Sequence, residues 1–323
     1  MKTKHLLLSL ISAVLVVGYS AAQPNTITPA PLISQWGEQT VELSKPLSLY
    51  ISAEGEDFSR LDAAVRQTGI NLKSVKRPAR RNYLNLLIVD KSEVAPIADA
   101  EGIAEGYVMD ITTEGVTIKA TTPAGLYYGV QSLRQIYHKH HALTVGHISD
   151  APRFEYRGVL IDISRHFRTK EFIMRQIDAM AEVKMNRLHL HLTDAAGWRI
   201  EVDSYPRLTS YAAWRTPHTW KEWWYGERRY VEEGSEGAYG GYLTKEEARE
   251  IVDYAASKYI TIIPEIEMPG HSDEVLAAYP ELRCTQQPER QGDLCIGKEE
   301  TFEMMQAILD EIIEIFPSEY IHI

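Results

Sequence analysis

Arg187-Leu-His-Leu-His-Leu-Thr-Asp194 (RLHLHLTD) is the stretch whose reading decides the fold. A strand's side-chain period of two places Leu188, Leu190 and Leu192 on one face, with His189, His191 and Thr193 on the other. Asp194 then stands at the strand's exit. Upstream, Tyr156–Ser164 (YRGVLIDIS) reads as a strand and Thr169–Val183 as a helix with Thr169 as its cap. Downstream, Thr244–Lys258 reads as a helix opened by the capping box Thr244-Lys-Glu-Glu247. Thr261–Glu267 (TIIPEIE) follows as a strand, Glu299–Phe316 as a long helix and Tyr320–Ile323 as a fourth strand. Strands regularly separated by helices imply a parallel sheet with crossover helices.

A doubly wound sheet and a (β/α)8 barrel both fit this alternation. Asp162, Asp194 and Glu267 fall at or just past the C-terminal ends of three successive strands, where barrel enzymes gather their chemistry. No glycine-rich phosphate loop follows a strand, which weakens the nucleotide-binding alternative. The expected class is α/β: a small N-terminal α+β domain followed by a (β/α)8 TIM barrel, truncated after about its fourth strand.

Residues 25–137 mix short strands and helices. Leu47–Ile51 alternates, Phe58–Thr68 has helical spacing and Asn85–Val89 resembles a buried strand. Tyr107–Ile111 and Val116–Ala120 alternate around Glu114-Gly115 as a β-hairpin. A helix follows over Pro123–Tyr137, with Leu126, Val130, Leu133 and Ile136 on one face. Asp150-Ala151-Pro152 marks the boundary. The expected division is a leader over 1–22, an accessory α+β domain over 23–150 and the first half of a catalytic barrel over 151–323.

Lys2 and Lys4 precede the apolar run Leu6–Val17, and Ser20-Ala21-Ala22 supplies small residues for cleavage before Gln23. The expectation is a signal peptide and export to a periplasmic or extracellular space. No second long apolar stretch occurs, so no integral membrane segment is expected in the mature chain. The formal net charge of -11 argues against a nucleic-acid partner. The basic run Lys73–Arg81 (KSVKRPARR) is short, contains a proline and reads as a solvated loop. The two cysteines, Cys284 and Cys295, are expected to bridge and clamp the loop between them, since export permits a disulfide.

Three clusters carry candidate chemistry. RGVLIDISRHF (Arg157–Phe167) holds Asp162 in the strand and Arg165-His166 in the loop; an ion-paired structural end is the competing reading. In NRLHLHLTDAAGWRIE (Asn186–Glu201) the pair His189 and His191 could ligate zinc, or be hydrogen-bonded inside the barrel. In IPEIEMPGHS (Ile263–Ser272) Glu265 and Glu267 share a strand face, and Pro269-Gly270 turns the chain so that His271 folds back toward Glu267. Trp214, Trp220, Trp223 and Trp224 crowd the insertion after the RLHLHLTD strand, either pinning a long loop or offering a sugar platform.

At these three clusters the sequence resembles the family 20 glycoside hydrolases, the β-N-acetylhexosaminidases, and 107–137 resembles the end of that family's accessory domain. The resemblance implies an enzyme that removes terminal N-acetylglucosamine or N-acetylgalactosamine from glycans by a retaining, substrate-assisted mechanism, with no cofactor and no metal. Its partner would be an N-acetylhexosamine-containing oligosaccharide or glycoconjugate. In the family, the strand resembling Tyr320–Ile323 continues into Gly-Gly-Asp-Glu, the catalytic pair. No catalytic acid is therefore expected within this chain, which by itself is expected to be inactive. The resemblance makes Arg157 a donor to the sugar's 3- and 4-hydroxyls, and Asp194, Glu267 and His271 pocket-lining polar residues. The family often has Asp at the position of Glu267, and Asp-Gln where Ala195-Ala196 stand. A sugar-binding module without catalysis and a metal-dependent hydrolase using His189 and His191 are the alternatives.

Overall fold

The computed structural model describes residues 27–323 except 42, 44, 101, 141 and 286–291, and gives no side-chain account of 138–140. The expected leader over 1–22 lies outside the described residues.

The N-terminal half is a mixed seven-stranded sheet. Its strands are β1 (Ile33–Val41), β2 (Leu47–Ile51), β3 (Leu72–Ser74), β4 (Tyr83–Ile88), β5 (Tyr107–Thr112), β6 (Gly115–Ala120) and β7 (Leu143–Asp150), in the order β1-β7-β5-β6-β4-β2-β3. The β5–β6 hairpin forms in antiparallel register, Ile111 opposite Val116 and Thr112 opposite Gly115. Gly115 is required by close approach: a Cβ there would lie 2.4 Å from the Tyr83 carbonyl oxygen. Two helices, α1 (Gly55–Arg66) and α2 (Pro123–His140), accompany the sheet, and Leu126, Val130, Leu133 and Ile136 of α2 are all buried. The sequence reading did not include β1, β3 and β7, and β3 takes in Lys73 and Ser74 at the start of the run expected as a solvated loop. β1 is a mostly exposed edge strand, so it lacks the apolar alternation that marks a half-buried one.

The C-terminal half is built on a parallel ladder of β8 (Gly158–Asp162), β9 (Arg187–His191) and the strand Thr261–Glu265. The register sets Gly158, Arg187 and Thr261 side by side at one end, and Asp162, His191 and Glu265 at the other. Helices α3 (Lys170–Glu182), Lys245–Ala256 and Glu299–Ile315 cover the leucine face. Ile173, Ile177, Ile251, Ala255, Ile308 and Ile312 join Leu188, Leu190 and Leu192 in one core, which is continuous with that of the first half. Burying each such aliphatic side chain contributes about 1.5–3 kcal/mol.

The capping box at Thr244 forms in both directions. The Thr169 hydroxyl, in contrast, caps no backbone N–H of α3. Tyr320–Ile323 is corrected from a strand to a single parallel bridge: the His322 N–H donates to the Pro264 carbonyl, and the Ile266 N–H donates to the His322 carbonyl. One pair of bonds on one side holds His322 and leaves Tyr320 and Ile323 exposed.

Between the halves, Lys184 places Nζ 2.8 Å from Asp150 Oδ2 and 3.1 Å from the Tyr107 hydroxyl. Burial lowers the Lys184 ammonium's pKa even though Asp150 opposes the shift. Among the described residues no helix is long and apolar enough to cross a membrane.

Candidate active site

The register brings three polar side chains to one end of the ladder. Asp162, His191 and Glu265 close β8, β9 and the third strand, and the loops that follow add Arg165, Asp194, Glu267 and His271. His191 is the hub. Its Nδ1 contacts Glu265 Oε2, and its Nε2 lies 3.2 Å from Asp194 Oδ2 and 3.0 Å from Arg165 Nη1. Burial alone would lower its pKa, but hydrogen bonds to Asp194 and Glu265 outweigh that and raise it. His189, one residue pair deeper, approaches Glu265 at 2.9 Å without the alignment of a hydrogen bond, and its pKa is lowered because burial outweighs the carboxylate. His322 places Nδ1 3.1 Å from the other Glu265 oxygen.

Arg165 is the cation of the mouth. Nη1 lies 2.9 Å from Asp162 Oδ2, Nη2 pairs with Asp194 Oδ2, and the backbone N–H donates to Asp162 Oδ1. Asp194 is buried, whereas a third of the Arg165 side chain is exposed, so carboxylates fix a side chain that solvent still reaches. Planar, pre-aligned N–H donors of this kind suit a ligand dense in hydroxyl groups.

Two buried guanidiniums shape the surrounding loops. Arg199 donates to the carbonyls of Ser164, Ala196, Ala213 and Gly241, and burial, together with the neighbouring Arg215, pulls its pKa down to about 9. Arg215 donates to the carbonyls of Ala196 and Arg165 at 2.7 and 2.8 Å. Ala195 and Ala196 are themselves buried, so this part of the wall is made by backbone rather than side chains.

The expected site residues do not all meet. Asp194 is at the centre. Glu267 lies just past the third strand, with its N–H donating to Thr193 Oγ1 at 2.8 Å. His271, at φ +53°, turns its Nδ1 to Asp194 Oδ2 at 3.1 Å rather than toward Glu267. The structure joins Cys284 to Cys295, with Cα atoms 4.8 Å apart. Arg157 is elsewhere. It lies before β8, at the far end of the ladder, where Nη2 pairs with Glu105 Oε2 at 2.6 Å and Nε donates to the Lys184 carbonyl. A cavity of about 360 Å³ at that end is lined by Glu105, Tyr107, Asp150, Phe154, Arg157 and Lys184. Arg165 and Glu265 stood in the candidate clusters of the sequence without an assigned sugar contact, and His322 was not among the candidates. The signal for Arg165 was present: it follows its strand, where barrel chemistry collects, while Arg157 precedes it.

Two triads, His189–Glu265–His322 and His191–Asp194–Glu267, have ligand atoms close enough for a metal ion. Glu265 of the first is already engaged by His191, and Asp194, one of the two carboxylates of the second, by the Arg165 cation. A cation entering the second triad would also meet the Arg165 charge.

The family model "Glycosyl hydrolase family 20, catalytic domain" matches residues 154–323, and "Glycosyl hydrolase family 20, domain 2" matches 25–151. The chain belongs to glycosyl hydrolase family 20. A curated member, the beta-hexosaminidase of Porphyromonas gingivalis, is 32% identical over 316 residues, covering 92% of this chain and 38% of the relative. The family 20 β-N-acetylhexosaminidase of Streptomyces coelicolor superposes with a TM-score of 0.73 at 30% identity, over 93% of this chain and 59% of that one. The family 20 exo β-N-acetylglucosaminidase of Vibrio harveyi, solved in complex with N-acetylglucosamine, superposes at 0.74 and 25% identity, over 93% of this chain and 46% of that one. The family 20 architecture is an N-terminal domain followed by a TIM-barrel-like fold, and this chain spans less than half the length of its curated relative.

Proposed function

We propose that the cluster around Arg165 is the sugar-holding part of a β-N-acetylhexosaminidase that releases terminal N-acetylglucosamine or N-acetylgalactosamine from glycans. The observation that carries this reading is the Arg165–Asp162–Asp194–His191 constellation, at the C-terminal end of a parallel ladder, in a family 20 chain. The solved relative that holds N-acetylglucosamine supports the choice of sugar.

Because Arg157 is tied to Glu105 at the far end, the hydroxyl-binding role passes to Arg165. Its fork would hold two neighbouring hydroxyls, with Asp162 and Asp194 keeping the guanidinium in plane. The reaction is retaining and substrate-assisted, outside the usual two-carboxylate scheme. The substrate's acetamido oxygen attacks the anomeric carbon as the glycosidic bond breaks, so its effective molarity replaces a protein nucleophile. An acid pair following Ile323, in the Gly-Gly-Asp-Glu of the family pattern, would orient the acetamido group and protonate the leaving oxygen. The domains are proposed as a leader over 1–22, an accessory domain over 23–150 and the barrel from 151. Export to a periplasmic or extracellular space rests on the lysine, apolar and small-residue pattern of the leader.

The test is hydrolysis of an aryl N-acetyl-β-glucosaminide by the intact gene product. Turnover is expected, and Arg165→Ala should lower kcat/KM roughly a hundredfold, about 3 kcal/mol for a lost charged fork. An Arg165→Ala protein as active as its parent would overturn the assignment.

A further inference from the structure

The insertion after β9 carries an aromatic surface that the pocket does not use. The short helix Trp220–Tyr225 presents Trp220 and Tyr225 to solvent, Tyr225 with 76% of its surface exposed. Trp220 and Trp224 stack, with ring centroids 5.5 Å apart and planes 18° from parallel. The Arg228 guanidinium lies 3.6 Å over the Trp224 ring. Trp224 is therefore held in place, and it holds Trp220 as a flat, rigid, outward ring. Trp223, fully buried, is the anchor on the helix's other side.

The helix that carries this surface is fastened to the loops of the mouth. Trp223 packs edge-on against Tyr230, whose hydroxyl donates to the Ala195 carbonyl, one residue past Asp194. Arg215, in the strand that pairs with Tyr230, donates to the carbonyls of Arg165 and Ala196. On the opposite flank Arg228 reaches Asp273 at 3.5 Å, two residues after the His271 that contacts Asp194. Two routes, one through Tyr230 and the strand paired with it and one through Arg228, thus fasten the aromatic helix to the loops that bear the candidate site.

We infer that Trp220 and Tyr225 form an additional carbohydrate subsite, taking sugar units of the substrate glycan on the leaving-group side of the cleaved residue. Indole and phenol faces pack against the C–H face of a pyranose, and a pre-stacked ring loses little freedom on binding. The mixed charges around the helix, Lys221, Glu222, Glu227 and Arg229, suit a neutral hydroxylated ligand better than a highly charged or wholly apolar one. The inference rests on the hexosaminidase reading for its choice of sugar.

The experiment compares Trp220→Ala and Tyr225→Ala in the intact gene product, on an aryl N-acetyl-β-glucosaminide and on tetra-N-acetylchitotetraose, with thermal melts confirming that each variant folds. The expected result is a fall in kcat/KM for the tetrasaccharide about fivefold to tenfold larger than for the aryl glycoside, mostly through KM. Equal effects on the two substrates, or none, would overturn the subsite. Calorimetric titration with the tetrasaccharide is the second measurement. If the parent cleaves neither substrate, the hexosaminidase reading fails on its own account. The titration then still decides: weaker binding in Trp220→Ala supports the subsite, and unchanged or undetectable binding in parent and variant removes it.

Discussion

Glu274 is fully buried, and among the described residues neither of its carboxyl oxygens has a hydrogen-bond partner. Burial, with Asp194 and Asp273 nearby, raises its pKa well above the ordinary 4.5. A carboxyl whose folded pKa exceeds its unfolded one binds its proton more tightly when folded. Stability therefore falls as pH rises from about 4.5 toward the raised value. Glu274→Gln keeps the shape and removes the titration. Its melting temperature should match the parent's near pH 4, exceed it at pH 7–8, and show a flatter pH dependence between; identical profiles would show that Glu274 ionises freely. At the same scale, Arg157 and Arg165 bracket one five-residue strand and differ in which end they occupy. Both stand in the motif RGVLIDISR, and sequence alone left the choice to resemblance. The ladder register separates the two, setting Arg157 at the start of the strand beside Glu105 and Arg165 past its end beside Asp162 and Asp194.

Local signals read well at the level of elements wherever the chemistry was local. The Thr244 capping box formed as spelled, with its hydroxyl accepting from the Glu247 N–H at 3.1 Å and the Glu247 carboxylate accepting from the Thr244 N–H at 3.0 Å. Thr244→Ala should cost about 1 kcal/mol in denaturant unfolding, whereas Thr169→Ala, at an N-cap whose hydroxyl caps nothing, should cost less. The alternation of β9 also held: its leucines are buried under the helices, and its histidines face Glu265. Elements whose stability comes from neighbours were less legible. β1 is an edge strand with polar, exposed residues, and His322 is held by two backbone bonds to residues nearly sixty positions away. Neither fact leaves a periodic trace.

For the molecule as a whole, the domain interface is the feature most open to test. Arg157–Glu105 and Lys184–Asp150 join the accessory sheet to the start of the parallel ladder, with Asn186 adding a 3.0 Å bond to Glu105. These groups are largely shielded, so removing one partner strands the other. Arg157→Met should destabilise the protein by about 2–3 kcal/mol. It should leave the KM for an aryl N-acetyl-β-glucosaminide close to the parent's, as expected of a residue at the far end from the mouth. A large rise in KM without loss of stability would return Arg157 to the pocket.

The sequence by itself determined the parallel β/α alternation, the family, and the set of polar residues at the strand exits. These follow from side-chain periodicity and from motifs that each lie within a dozen residues. Only the tertiary structure decided which arginine stands at the mouth, that His271 lies against Asp194 rather than Glu267, and that the tryptophan helix is tethered beside the site. Those outcomes depend on strand register and on contacts between segments tens of residues apart, where a shift of one position moves a side chain to the opposite face.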